Sequence, residues 1–254
     1  MVELKNVSFK LEEKQILENI SMQVDEGGTE IILGPSGAGK SSILKVILRL
    51  WKPQNGKVII NGEDISNYSE HQLLQIRQKM GIVFQGNALF DSLTVAENTA
   101  YFLREQGIKD EEIINKQVEK TLNFVNMNGT NNLYPSQLSG GMKKRAAIAR
   151  AMAFDPQILL FDEPTGDLDP INAKAIDELI KKVNAQGTTV IAVTHFVHEA
   201  IFLADKLTVM NEGKIIESNV VRQLLNSKNE LIQNFFYEYK YELNIKNKYT
   251  ENIG

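Results

Sequence analysis

The segment that decides the fold is Gly34-Pro35-Ser36-Gly37-Ala38-Gly39-Lys40-Ser41. Its glycines, lysine and hydroxyl residue have the spacing of a phosphate-binding loop. The glycines let backbone N–H groups point inward around phosphate oxygens, and a following helix adds its positive dipole end. An apolar run precedes the loop at residues 29–33, and an apolar helical pattern follows at residues 42–48. This strand, loop and helix context favours a phosphate site over an ordinary glycine-rich turn.

Each residue type in the loop has a predicted role. Lys40 is expected to reach the β- and γ-phosphates as a point charge, while the Ser41 hydroxyl joins the shell of a Mg²⁺ ion. The other residues predicted to contact the nucleotide here are Gly34, Pro35, Ser36, Gly37, Ala38, Gly39 and Ser42.

A second segment places two carboxylates at the end of an apolar run. Residues 158–161 are apolar and are followed by Asp162 and Glu163, as expected of a buried strand whose tip faces a ligand. Asp162 can hold Mg²⁺ through water, and Glu163 can polarise an attacking water. Strands often end in acidic caps or turns, so the acidic pair alone is weak evidence. The phosphate loop is what supports a catalytic interpretation.

A third segment, Leu138-Ser139-Gly140-Gly141-Met142, precedes a basic helical stretch at residues 143–151. A hydroxyl and exposed amides at a helix N-terminus form a second predicted anion site. One nucleotide does not need two such sites on one chain. The alternative is an ordinary glycine N-cap before a solvated basic helix.

The remaining patterns predict an α/β fold. Residues 2–9, 16–24 and 57–60 read as strands of an N-terminal antiparallel layer, and the apolar runs 82–84, 158–161 and 189–193 read as buried parallel strands. Residues 111–127 have helical periodicity. With the pattern at Leu73, Leu74 and Ile76, they predict a helical lobe inserted between two strands. The apolar positions of the 111–127 pattern are Ile113, Ile114, Val118, Leu122 and Val125.

Composition narrows the classes of function. The 254 residues are 43% hydrophobic and 24% charged, as in globular proteins, and the net charge of -4 gives no reason to expect nucleic acid as a partner. The absence of cysteine excludes disulfides and thiolate metal sites, so the cytoplasm is the default expectation. No signal peptide or membrane-spanning run is evident, so any membrane link is expected to run through a partner.

These motifs, in this order, resemble those of the ATP-binding cassette (ABC) transporter ATPases over about residues 1–225. The resemblance implies a phosphate-loop fold with a mainly parallel core sheet, an antiparallel β-layer and an inserted helical subdomain within about residues 86–155. It also implies hydrolysis of ATP with Mg²⁺. In this family two copies pack head to tail, so that Ser139, Gly140 and Gly141 of one copy would close over the γ-phosphate held by the other.

The resemblance also implies roles for other residues. Gln85 looks like the glutamine that reaches Mg²⁺ and the attacking water and links to the permease-contacting lobe. His195 looks like the switch histidine that contacts the γ-phosphate and positions Glu163. Residues 166–169 resemble the loop that crosses the dimer interface, with Asp169 bracing it. Leu11 stands where the family usually has an aromatic that stacks on adenine, so adenine is expected to rest on apolar contact.

Two stretches are similar to the Mla/Mce-type phospholipid-transport ATPases, namely residues 84–98 and the basic run after Met142. That similarity implies a homodimer, an integral-membrane permease, a lipid-binding Mce-type protein and a place at the cytoplasmic face of the inner membrane. Within the tail, residues 226–254, the stretch 232–236 resembles the tail of that subgroup, which can reach across to the other ATPase. Its aromatic cluster is expected either to dock there or to pack on its own domain, and consists of Phe235, Phe236, Tyr237, Tyr239 and Tyr241.

Three alternatives remain open at the sequence level. The chain could serve an ABC transporter for another cargo, such as an amino acid or a lipoprotein. It could be a soluble ABC ATPase of DNA repair or translation, although neither a coiled-coil insert nor a second cassette is visible. A phosphate-loop kinase would leave residues 138–142 unexplained.

Overall fold

The computed structural model describes residues 2–237 and Tyr239, and it contains two sheets. The strands, in chain order, are β1 (Val2–Leu11), β2 (Lys14–Val24), β3 (Thr29–Leu33), β4 (Asn55–Ile60), β5 (Glu63–Asp64), β6 (Met80–Val83), β7 (Ile158–Asp162), β8 (Thr189–Thr194), β9 (Lys206–Asn211) and β10 (Lys214–Asn219).

The helices include a final one whose start lies in the predicted tail. In chain order they are α1 (Lys40–Ile47), α2 (Glu70–Arg77), α3 (Val95–Glu105), α4 (Glu111–Phe124), α5 (Gly140–Met152), α6 (Pro170–Asn184), α7 (Val197–Leu203), α8 (Val221–Leu225) and α9 (residues 230–237).

The smaller sheet is the predicted N-terminal antiparallel layer, with strand order β2-β1-β4-β5. The alternation of buried and exposed residues along β1 and β2 reflects a sheet that buries one face. That face covers α1, which carries the phosphate loop at its N-terminus.

The larger sheet has strand order β10-β9-β3-β8-β7-β6, and all its neighbouring strands are parallel except the β9–β10 pair. Strands β3 and β8 are buried along their whole length, as both faces of the sheet are covered. Leu33 pairs with Thr194, and Asp162 pairs with Val193. The carboxyl ends of β3, β7 and β8 therefore meet at one edge, where ligands bind in open α/β sheets.

The helical lobe consists of α3, α4 and α5, inserted between β6 and β7 as expected. The structure has two hydrophobic cores: the larger lies between the lobe, α6 and one face of the larger sheet, and the smaller lies between the other face, α1 and the antiparallel layer. Helix α4 confirms the periodicity of residues 111–127, since Ile114, Val118 and Leu122 are buried in the larger core. Ile113, predicted on the same face, is 56% exposed because it lies one residue from Ile114, about 100° around the helix.

Helix α2 does not belong to the lobe, which corrects the sequence expectation. Leu73 and Ile76 pack in the smaller core with the antiparallel layer and α1, while Leu74 is exposed. Its core includes Leu160 of β7, whereas the core of the inserted helices includes Leu159, so α2 and the lobe cover opposite faces of the larger sheet.

The start of the predicted tail packs on its own chain. Ile232 and Phe236 in α9 are fully buried in the larger core, and the ring of Tyr239 meets His198 edge-on at 5.1 Å. Tyr237 is 68% exposed, and Tyr241 lies outside the described residues. The burial of Phe236 therefore needs no second subunit.

Across the part of the chain that the structure describes, every helix is too short or too polar to cross a bilayer.

Candidate functional site

The phosphate loop joins β3 to α1 and is shaped by close backbone contacts. A Cβ at Gly34 would lie 2.4 Å from the Met210 carbonyl oxygen, so only glycine fits there. Gly39, the N-cap of α1, has a left-handed φ of 98°. The loop therefore turns tightly into the helix, and the helix N-terminus faces the same point as the loop amides.

Lys40 fills the inside of this loop. Its Nζ donates to the carbonyl oxygens of Gly34 at 2.9 Å and Pro35 at 3.0 Å, and lies 3.8 Å from Glu163 Oε1. Burial lowers the pKa of Lys40, while the charges of Glu163 and Asp162 oppose that shift. The ammonium is thus held where a phosphate oxygen would meet it.

Ser41 and Asp162 come together from α1 and β7. Ser41 Oγ donates to Asp162 Oδ1 over 2.6 Å. A hydroxyl and a carboxylate are hard oxygen ligands of the kind that Mg²⁺ uses beside phosphates and water. The residues present therefore fit a Mg²⁺ ion that accompanies a nucleotide.

Glu163 follows Asp162 in a left-handed backbone conformation, with φ of 47°. Such a conformation costs energy in a non-glycine residue and is common at functional sites. Its amide donates to the Val193 carbonyl oxygen over 3.0 Å, and its Oε2 lies 2.8 Å from His195 Nδ1. The turn thus directs the carboxylate away from the strand, between Lys40 and His195.

His195 directly follows β8 and is held by its neighbours. Its ring lies 4.0 Å from that of Phe196. Thr194 Oγ1 accepts from the Phe196 amide over 3.0 Å and donates to the carboxylate of Glu199. This buried network fixes the backbone on both sides of His195.

The segment before α5 has the predicted capping geometry. Ser139 is the N-cap, and its Oγ accepts from the Met142 amide over 3.3 Å. Gly141 lies against α6, where a Cβ would approach Asn172 Oδ1 to 2.6 Å, while Gly140 is exposed. The helix N-terminus is therefore anchored on one side and open on the other.

Asp169 braces the neighbouring loop as the N-cap of α6. Its Oδ1 accepts from the amides of Ile171 at 3.0 Å and Asn172 at 3.1 Å, and its Oδ2 accepts from Asn172 Nδ2 at 2.6 Å. The hydrogen bonds to Asn172 lower the pKa of Asp169, although burial opposes them weakly. Asn172 thus links this cap to Gly141.

Gln85 lies after β6, at the same sheet edge as Asp162, and its side chain is exposed. Within residues 2–237, no hydrogen bond joins its amide to Ser41, Asp162 or Glu163. Its carbonyl oxygen instead accepts from Lys144 Nζ at 3.1 Å. The structure therefore brings Gln85 to this edge without a hydrogen bond from its side chain to either carboxylate among the described residues.

The residue predicted to contact adenine is aliphatic and lies near a stacked aromatic pair. Leu11, at the end of β1, is 50% exposed and available for apolar contact. Phe9 is buried and stacks on Trp51, with ring centroids 4.8 Å apart. Phe9 therefore serves the smaller core, and Leu11 is the more accessible of the two.

Sequence reasoning missed several buried charged residues near the site. The basic run after Met142 was open to interpretation as a solvated helix face, but Lys144 and Arg150 are buried. The signal was present, because Lys144 lies three residues from Gly141 and four from Ile148, on the buried face of α5. Glu199, on the short helix α7, had no comparable signal.

Three comparisons with known proteins bear on this site. A family model described as "ABC transporter" matches residues 17–166. The intermembrane phospholipid transport system ATP-binding protein MlaF of Haemophilus influenzae is 38% identical over 92% of this chain and 89% of that protein. The methionine import ATP-binding protein MetN 1 of Bacillus cereus is 40% identical over 89% of this chain and 67% of that protein.

Solved structures agree with these relatives. A dimeric ATP-binding cassette in a post-hydrolysis state, bound to ADP and Pi, has a TM-score of 0.79 and 35% identity over 87% of this chain and 99% of the other. Clostridium perfringens cbiO1, described as part of the ABC transporter complex cbiONQ, has a TM-score of 0.83 and 27% identity over 97% of this chain and 98% of the other. The chain therefore belongs to the ABC transporter family of ATP-binding proteins and is an ATPase.

Proposed function

We propose that this ATPase energises a membrane permease that moves phospholipid between the membranes of a bacterial envelope. The observation that carries the catalytic part is the arrangement of Lys40, Ser41, Asp162, Glu163 and His195 around one phosphate loop. The similarity to MlaF supports the cargo.

In this proposal ATP lies between two copies of the chain. Lys40 and the loop amides bind its phosphates, and Ser139, Gly140 and Gly141 of the second copy cover the γ-phosphate. Ser41 and Asp162, with Gln85, would hold Mg²⁺, which supplies charge neutralisation on the phosphate oxygens. The dimeric relative bound to ADP and Pi supports the paired arrangement.

Glu163 is proposed to orient and polarise the attacking water. His195 holds one carboxylate oxygen at 2.8 Å, and Lys40 lies 3.8 Å from the other. The carboxylate is therefore fixed in direction before the substrate arrives, which lowers the cost of orienting the water.

An apolar groove beside the Gln85 loop supports a permease partner. We call it the lobe groove, and its aromatic residues are Phe84, Phe90, Tyr101, Phe102 and Phe154. Phe90 and Phe102 are 41% and 40% exposed. A short cytoplasmic helix of a permease fits such a groove, because an amphipathic helix can bury its apolar face there. Docking would place the chain at the cytoplasmic face of the inner membrane.

Copurification tests the partner and the cargo together. The tagged chain, extracted from native membranes in mild detergent, should bring down a permease, phospholipid and an Mce-type protein. Recovery of a permease with bound methionine would instead favour amino-acid import, which the MetN similarity supports. Absence of any membrane protein would contradict the transport proposal.

A groove variant tests the docking surface. Phe102→Glu should reduce the recovered permease by at least about tenfold, because a charge in an apolar interface loses solvation. Leu74→Glu, on the exposed side of α2, is the control and should leave recovery unchanged. Equal recovery with both variants would reject the lobe groove as the docking surface.

A further inference from the structure

Lys144 is a buried cation that the chemistry described above does not use. It lies in the second turn of α5 and is only 3% exposed, whereas its neighbour Lys143 is partly exposed. Its Nζ donates to the carbonyl oxygens of Gln85 at 3.1 Å and Phe84 at 3.5 Å. The side chain therefore connects α5 to the backbone of the predicted catalytic glutamine.

Keeping an ammonium at this position is costly. Burial lowers the pKa of Lys144, while the charges of Asp167, Glu199 and Asp162 oppose that shift. A buried charge destabilises a protein unless its partners compensate, and an apolar side chain of similar volume often packs as well or better. Packing alone therefore does not account for a lysine here.

The loop that follows the two residues contacted by Lys144 is strained. Asn87 and Ala88 are consecutive left-handed residues, with φ of 62° and 52°. Arg150, 9% exposed on the same helix, donates to the carbonyl oxygens of both. Asn98 of α3 also pins the far end, as its side chain exchanges hydrogen bonds with the backbone of Phe90. A loop in such a conformation persists only where its surroundings hold it.

We propose that Lys144 is a positioning residue for ATP hydrolysis: together with Arg150 it fixes residues 84–90 onto α5, so that Gln85 keeps a set orientation toward the nucleotide. This inference rests on the role proposed above for Gln85. It adds that the orientation of Gln85 depends on a side chain of α5.

The position of Lys144 gives this contact a consequence for the dimer. Lys144 follows the N-cap Ser139 by five residues, a distance of about 7.5 Å along the helix axis. When the start of α5 moves onto the nucleotide of the second copy, the carbonyls of Phe84 and Gln85 move with it. Closure of α5 over the nucleotide bound by the second copy would thereby shift Gln85 of the same chain, which faces the nucleotide bound by its own phosphate loop.

A double-mutant cycle tests the proposal on the full chain. Lys144→Met should lower kcat for ATP hydrolysis about tenfold and leave KM for ATP within about twofold, because the phosphate loop is untouched. In a Gln85→Ala background the same substitution should change kcat by less than twofold, since coupled residues are not additive. Lys144→Arg, which keeps the cation and its donors, should retain at least half of the activity.

Hydrogen exchange measures the anchoring itself. The amides of residues 86–90 should exchange at least fivefold faster in Lys144→Met than in the unmodified chain, while Lys143→Met should change neither exchange nor kcat. If Lys144→Met does not fold, Lys144→Gln is used in the same cycle, because its shorter amide cannot reach both carbonyls.

The outcomes separate the two proposals. An equal loss of kcat from Lys144→Met with and without Gln85 would overturn the positioning role and leave the role of Gln85 intact. Full turnover of Gln85→Ala would refute both. Unchanged exchange at residues 86–90 would show that Lys144 does not anchor the loop.

Discussion

At the scale of single residues, Glu163 is the position on which the proposed hydrolysis mechanism depends. Glu163→Gln should lower the rate of phosphate release by at least about 100-fold, because the amide cannot polarise water as a carboxylate does. ATP should still bind, since Lys40 and the loop remain. The measurements are phosphate release, nucleotide binding, and size-exclusion chromatography with ATP, where a stable dimer should accumulate.

The control for this change is Glu178→Gln, on the exposed side of α6. This variant should hydrolyse ATP at the rate of the unmodified chain. Turnover of Glu163→Gln at that same rate would remove Glu163 from the catalytic role.

The residues of the phosphate loop and the two carboxylates could be predicted from sequence because their chemistry requires particular side chains at fixed spacing. The buried charged residues near them could be predicted only in part. Lys144 belongs to a run of charged residues that reads equally well as a solvated surface, and only the burial of one helix face distinguishes it. Glu199 is buried through tertiary packing that no local pattern shows.

At the scale of secondary-structure elements, the contact between α5 and α6 depends on Gly141. Gly141→Ala should lower the free energy of unfolding by about 1–3 kcal/mol, because the added Cβ would meet Asn172, which is already tied to Asp169. Gly140→Ala is the matched control, since its Cβ would make an ordinary contact with Leu168. Urea unfolding measures both, and equal stability would contradict this account of the contact.

Two carboxyl groups, the buried Glu199 of α7 and the half-buried Asp177 of α6, make stability depend on pH. Burial raises the pKa of Glu199 from 4.5 to about 8, and it raises that of Asp177 from 3.8 to about 6. Between pH 4.5 and about 8 the unfolded chain releases the Glu199 proton while the folded chain keeps it. The free energy of unfolding should therefore fall as pH rises through this window.

Glu199→Gln removes the contribution of Glu199 to that dependence, because the amide stays neutral. Relative to the unmodified chain, the variant should gain at least about 1 kcal/mol of stability between pH 5 and pH 8.5. Urea unfolding at both pH values measures the difference. The exposed Glu178→Gln should show no such change, and a constant offset for Glu199→Gln would exclude the shifted titration.

The elements themselves were predictable to different degrees. The two sheets and the inserted helices follow from short β-rich runs, fully apolar strands and helical periodicity, and the comparisons confirm the fold. The β9–β10 hairpin was not predicted, although its turn at Glu212 and Gly213 has two left-handed residues suited to a tight hairpin. Helix α2 was assigned to the lobe because periodicity shows that a helix is amphipathic and not which core it faces.

At the scale of the whole molecule, the start of the tail contributes to stability. Phe236→Ala should lower the free energy of unfolding by about 3–5 kcal/mol, because it removes a fully buried ring from the larger core. Tyr237→Ala, at a 68% exposed position, should cost much less. Denaturant unfolding of the chain without nucleotide measures both. Equal stability of the two variants would show that the buried Phe236 ring does not stabilise the domain on which it packs.

The left-handed backbone at Glu163 has a consequence for how this protein can evolve. Such a conformation costs on the order of 1–3 kcal/mol in a residue with a side chain, and glycine would adopt it freely. Laboratory selection for heat tolerance alone would therefore favour glycine at this position. The selected variants would be more stable to heat, and by the proposed mechanism they would not hydrolyse ATP. Glutamate at this position therefore lowers stability in exchange for turnover.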